Sequence, residues 1–209
     1  MTSSRTPAPL PGFLLFVGGQ CRKVGKSALV EDVIKAFPER NWTAVKITPY
    51  VESGCPVVGP ACGCSPAEHT FAILEEADRS ATSDTSRFLA AGASRALWVQ
   101  TKERRLQEAL PSLIENLADV SYLIIESDAL ATIWKPSLFL MVLDLAVPDF
   151  KISARENLKL ADAFVFRSPD KGHDTLFAPA ATDARPAFLQ PIGTPLPQAL
   201  RQFLSGSFP

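Results

Sequence analysis

The run Phe13-Leu14-Leu15-Phe16-Val17 ends in Gly18-Gly19 and continues as Gln20-Cys21-Arg22-Lys23-Val24-Gly25-Lys26-Ser27. A continuous apolar run closed by glycines is the pattern of a strand buried on both faces of a parallel sheet. Beyond the loop, Leu29, Val30, Val33, Ile34 and Phe37 recur at helical spacing, and Pro38 closes the segment. Strand, glycine-bearing loop and amphipathic helix in that order restrict the chain to a layered α/β architecture. They also give Gly25-Lys26-Ser27 the flanks that a phosphate-binding loop requires.

The usual G-x4-G-K-S spacing is not met, because Gln20 stands at the first glycine position and Gly19 gives G-x5-G-K-S instead. The remaining chemistry is intact. Backbone N–H groups from Gly19 through Ser27, including those of Gln20, Cys21, Arg22, Lys23 and Val24, can surround phosphate oxygens at a helix N-terminus, where the helix dipole favours an anion. Gly25 permits close approach, Lys26 can reach the β and γ phosphates, and the Ser27 hydroxyl can ligate Mg²⁺. Cys21 inside this loop is a candidate redox switch.

Apolar runs at 43–48, 96–100, 122–126, 138–143 and 163–166 read as further strands. Helices are expected over 65–77, opened by the capping-box pattern Ser65-Pro66-Ala67-Glu68, and over 85–91, 103–117, 153–161 and 197–204. This alternation predicts a three-layer α/β P-loop fold, a mostly parallel central sheet with helices on both faces. Residues 1–11 read as a flexible arm and 12–209 as a single nucleotide-binding domain. That domain carries a Cys-rich loop at 49–65 and a Pro-rich segment from 169 to 209, expected to wrap irregularly.

Lys plus Arg total 21 against 22 Asp plus Glu, a net charge of −1, so no global field draws the chain to nucleic acid or an anionic membrane. No apolar run approaches the roughly 20 residues that span a bilayer. Pro7, Pro9 and Pro11 interrupt what would otherwise resemble a signal peptide. A cytoplasmic location is the expectation, and there Cys55-x6-Cys62-x-Cys64-x4-His69 offers three thiolates and an imidazole to Zn²⁺ or another thiophilic metal. The alternative is a set of reduced loop thiols with His69 facing solvent.

The loop spacing resembles the dethiobiotin synthetase branch of P-loop proteins. Asp84-Thr85-Ser86-Arg87-Phe88-Leu89-Ala90-Ala91-Gly92-Ala93 resembles the D-S-x-R-x-x-x-A-G-A segment of the molybdopterin-guanine dinucleotide biosynthesis adapter family, MobB. The resemblance covers 12 to about 127 and implies a Lys-bearing second strand, here Lys46. It extends more weakly to about 167, and it departs in the P-loop, where that family carries a tighter Gly/Ser-rich loop, and in the Cys-rich segment 53–64, where that family commonly has His and Asp.

P-loop enzymes place a carboxylate at a neighbouring strand end to support Mg²⁺. Glu126 fills that role, as the synthetase resemblance implies, with Asp144 as the runner-up. Asp84 and Arg87 lie one helical turn apart. The resemblance implies that Asp84 sits near metal or water and that Arg87 meets phosphate oxygens, against an ordinary N-cap acid and a surface arginine. In Arg167-Ser168-Pro169-Asp170 only Asp170 matches a guanine-reading motif, so GTP and ATP stay unseparated.

These readings predict binding and slow Mg²⁺-dependent hydrolysis of GTP or ATP. The implied output is cofactor assembly or metal-centre maturation with a cofactor-biosynthesis protein as partner, and a homodimer as a candidate assembly. Alternatives are a dethiobiotin-synthetase-like ligase or small-molecule kinase, and a nucleotide-gated module without turnover.

Overall fold

The computed structural model describes residues 12–50, 70–102, 105–168 and 184–209. The strands are β1 (Phe13–Gly19), β2 (Thr43–Tyr50), β3 (Phe71–Glu75), β4 (Arg95–Lys102), β5 (Tyr122–Glu126), β6 (Leu138–Leu143), β7 (Ala163–Phe166) and β8 (Ala187–Leu189). The helices are α1 (Lys26–Ala36), α2 (Asp84–Ala90), α3 (Leu106–Asn116), α4 (Ile152–Leu160) and α5 (Gln198–Ser207). One sheet runs in the order β3-β4-β2-β5-β1-β6-β7-β8. Every pairing is parallel except β3 with β4.

β1 lies inside this sheet, between β5 and β6, and all seven of its residues are buried. Successive side chains of a strand point to opposite faces, so β1 feeds two cores. Phe13, Leu15 and Val17 pack with Leu29, Val30 and Val33 of α1, Phe88 and Leu89 of α2, and Leu200 and Leu204 of α5. Leu14 and Phe16 pack with Leu106, Ala109 and Leu113 of α3 and with Ala154 of α4. The molecule is therefore a three-layer α/β sandwich, as its apolar pattern requires.

Two expectations need correction. Residues 71–75 lie within the helix expected over 65–77, yet they form β3, pairing antiparallel with β4 from Phe71↔Thr101 to Glu75↔Leu97. Without β3 the outer edge of β4 would present unpaired N–H and C=O groups. The pairing is reinforced by Arg95, whose Nε and Nη2 donate to the two carboxylate oxygens of Glu75 at 2.9 and 2.8 Å. The second correction is β8, which adds a parallel strand where irregular wrapping was expected. Among the described residues no helix is long and apolar enough to cross a membrane. The arm 1–11, the metal-ligand candidates Cys55, Cys62, Cys64 and His69, and Asp170 lie outside the described residues.

Candidate functional site at the carboxyl ends of the strands

In open α/β sheets, ligands bind beyond the carboxyl ends of the parallel strands. Here the Gly19 end of β1 meets the ends of β5 and β6, and the loop 20–25 leads into α1. Lys23 at φ 62° and Gly25 at φ 96° are both left-handed, which turns the chain sharply into the helix. Gly25 caps α1 without any side-chain hydrogen bond, and the first turn carries no acidic residue. The free N–H groups of that turn therefore favour an anion, with no competing carboxylate in the turn itself. Gly19 is required sterically, since a Cβ there would lie 2.9 Å from Cγ of Lys26 and 2.7 Å from Cγ1 of Val24.

Lys26 is buried along its stem, and its Nζ donates to the Cys21 carbonyl at 2.8 Å and to Oδ2 of Asp128 at 3.3 Å. Arg22 and Lys23 are exposed at the loop tip, whereas Gln20, Cys21 and Val24 turn inward. The redox role expected of Cys21 is not supported by its surroundings. Its thiol is 3% exposed, and burial, reinforced by the Asp149 charge, raises its pKa above the ordinary value. A buried, protonated thiol reacts slowly.

A second cluster sits beside Ser27. Lys46 of β2 and Glu126 of β5 are direct register partners. The Ser27 hydroxyl donates to Glu126 Oε2 at 2.7 Å, and Lys46 Nζ donates to Oε1 at 2.8 Å. Lys46 also lies 3.2 Å from Ser27 Oγ and 2.6 Å from Oδ2 of Asp84. The three residues expected to support Mg²⁺ thus converge on one ammonium group. Burial disfavours the Lys46 charge, but Glu126 and Asp84 outweigh it and raise its pKa. Burial likewise raises the Asp84 pKa, and hydrogen bonding and charge from Lys46, with Ser27 and Arg87, outweigh it and lower the net value.

Asp84 opens α2, whose position is fixed by a reciprocal Ser83–Ser86 capping box. Arg87 reaches across to Glu31 of α1 at 2.6 Å and lies 3.6 Å from Asp84, so it stands at the rim. Asp144, the alternative carboxylate, accepts from Ala146 N at 3.0 Å and from Ser168 Oγ, while Glu126 takes the Ser27 hydroxyl.

Sequence reasoning missed three contributors. Asp128 accepts from Gly19 N at 3.2 Å as well as from Lys26, and Lys151 bonds the same carboxylate at 2.7 Å. Arg167, 5% exposed, donates from Nη2 to the Gly25 carbonyl at 2.6 Å and from Nη1 to the Gln190 carbonyl at 3.0 Å. A cleft of about 400 Å³ between Phe37, Arg40 and α5 lies at the far end of α1. That end is roughly 16 Å from the loop at 1.5 Å per helical residue, too far to share its chemistry.

No family model and no curated protein matches the sequence. Solved structures do. HypB from Helicobacter pylori, in complex with nickel, is similar at TM-score 0.52 and 17% identity over 93% of this chain and 86% of that one. LpxK from Aquifex aeolicus, in its "apo" form with ATP, is similar at TM-score 0.51 and 14% identity over 87% of this chain and 54% of that one. The chain shares the three-layer α/β fold of these two proteins. MobB from Bacillus subtilis aligns at TM-score 0.42 and 15% identity, over 94% and 99% of the two chains. At 14–17% identity the likeness to HypB and LpxK speaks to the fold, and any chemistry of the 19–27 loop rests on its own residues.

Proposed function

We propose that residues 12–209 act as one domain that binds the triphosphate of ATP or GTP in the 19–27 loop and hydrolyses it slowly with Mg²⁺. The observation that carries this reading is the convergence of Ser27, Glu126 and Asp84 beside the N-terminus of α1, with Lys26 directed along the same loop. A hydroxyl and two carboxylates are hard oxygen donors of the kind Mg²⁺ takes, and they already hold a cation, the Lys46 ammonium. They therefore fit the ion. Ser27, Glu126 and Asp84 would hold it, and its charge would offset the negative charge that develops on the phosphate.

The chain's own groups supply the rest. Loop and helix N–H groups bind phosphate oxygens, Lys26 brings a positive charge to them, and Glu126 holds the Ser27 hydroxyl in a fixed orientation. Arg87, paired with Glu31 and Asp84, is the arginine that this reading assigns to the outermost phosphate. The output we infer is assistance in assembling a cofactor or metal centre with a biosynthetic partner protein in the cytoplasm, supported by the resemblance of the 84–93 segment, whose Asp84 shares Lys46 with Ser27. Glu126→Gln tests the reading. It should keep Mg·ATP or Mg·GTP affinity within about threefold while lowering turnover at least tenfold, whereas a loss in Asp144→Asn alone would place the carboxylate on the wrong strand.

A further inference from the structure

The residue that breaks the loop's usual spacing, Gln20, has a buried side chain that makes three hydrogen bonds to one segment. Its Nε2 donates to the carbonyls of Val147 and Asp149 at 2.7 and 3.1 Å, and its Oε1 accepts from Asp144 N at 2.8 Å. Lys151 N adds a 3.0 Å bond to the Gln20 carbonyl. A glycine could make only the last of these. The side chain thus clamps the 144–151 connection against the phosphate loop, and the residue delivered at its end is Lys151.

Lys151 occupies an unfavourable place for a purely structural lysine. It is the N-cap of α4, where it makes no capping bond and where the helix dipole repels a cation. Its Nζ is held 2.7 Å from Oδ2 of Asp128, the same oxygen that Lys26 approaches at 3.3 Å, so the two ammonium groups are at most about 6 Å apart. The Lys151 side chain is one-third exposed, free to leave Asp128 for a stronger anion in solution.

We propose that Lys151 is a second phosphate-binding lysine, which the Gln20 clamp positions beside Lys26 to engage the terminal phosphate of the bound nucleotide. This rests on the nucleotide-binding reading above and goes beyond it by assigning a residue and the device that places it. Asp128 is the resting partner of both lysines, and the triphosphate takes its place.

The test compares Mg-bound ATP and ADP, and GTP and GDP, by calorimetric titration of wild type, Lys151→Gln, Lys151→Arg and Gln20→Gly. Wild type should prefer triphosphate over diphosphate. Lys151→Gln should reduce that preference at least tenfold, Lys151→Arg should retain most of it, and Gln20→Gly should reduce it although it restores the usual glycine spacing. Should Gln20→Gly fail to fold, the Lys151 variants still decide the matter. Unchanged preference in Lys151→Gln, or equal weakening of both nucleotides, overturns the proposal while leaving the nucleotide reading standing. Absence of any nucleotide binding by wild type overturns both.

Discussion

Lys46 holds together the acidic cluster to which we assign Mg²⁺. Its ammonium satisfies Glu126, which is 4% exposed, together with Asp84 and Ser27. Removing one partner of a buried pair leaves a charge without compensation, so Lys46→Met should lose about 3 kcal/mol at neutral pH. Mg²⁺ should then raise the melting temperature of Lys46→Met more than that of wild type, where the ion must displace an ammonium. The pH dependence follows from the signs. The Lys46 pKa is raised, so its contribution is complete below 10.5 and is lost only as pH climbs through the higher folded value. The Asp84 pKa is lowered, so its contribution is present above 3.8 and is lost as pH falls through the folded value. Asp84→Asn should therefore show a constant stability deficit from pH 5 to 9 that shrinks below about pH 4, measurable by denaturation at each pH. A deficit that grows on acidification would contradict the pairing.

Among the elements, the sheet strands were the most legible, because burial on both faces leaves nearly unbroken apolar runs such as 13–17 and 138–143. The stretch 71–75 was misread since Phe71, Ala72, Ile73 and Leu74 satisfy a helix or a strand equally well, and only pairing with β4 decides between them. Of the site, Lys26, Ser27 and Glu126 were readable because each ends or begins an element near the loop. Asp128, Lys151 and Arg167 were not, because they meet the loop only once β5 and β6 flank β1 and β7 follows. No local signal encodes that order. Within α3, Pro111 lies on the exposed side and removes the donor for the Gln107 carbonyl. Pro111→Ala should stabilise the protein by about 1–2 kcal/mol, read from the urea midpoint, the gain being limited by the added freedom of the unfolded chain. A lower midpoint would show that the helix depends on the break.

At the scale of the whole molecule, Phe208 joins the start of β1 at the end of the sheet away from the 19–27 loop. Phe208, following α5, packs edge-on against Phe13, Phe37, Trp42 and Tyr122, with ring centroids 4.9 to 5.9 Å away. Arg40 covers the same ring at 4.7 Å. Phe208→Ala should cost about 2–3 kcal/mol, less than a fully buried phenylalanine because this ring is only half-buried. Nucleotide affinity should be unchanged at temperatures where the variant remains folded, since the cluster lies at the far end of α1. A loss of affinity without a loss of stability would mean that the two ends of the sheet are coupled.

On the reading proposed above, the 19–27 loop binds a nucleoside triphosphate through Lys26 and the N-terminus of α1. Its most direct measurement is calorimetric titration of wild type and Lys26→Ala with Mg·ATP and Mg·GTP, alongside circular dichroism of both proteins. Saturable binding of at least one nucleotide by wild type is expected. At least a hundredfold loss in Lys26→Ala with an unchanged spectrum is also expected, because the substitution removes the charge-assisted contact that the loop itself supplies. Equal affinity in the two folded proteins, or no binding by wild type at millimolar nucleotide, would contradict it.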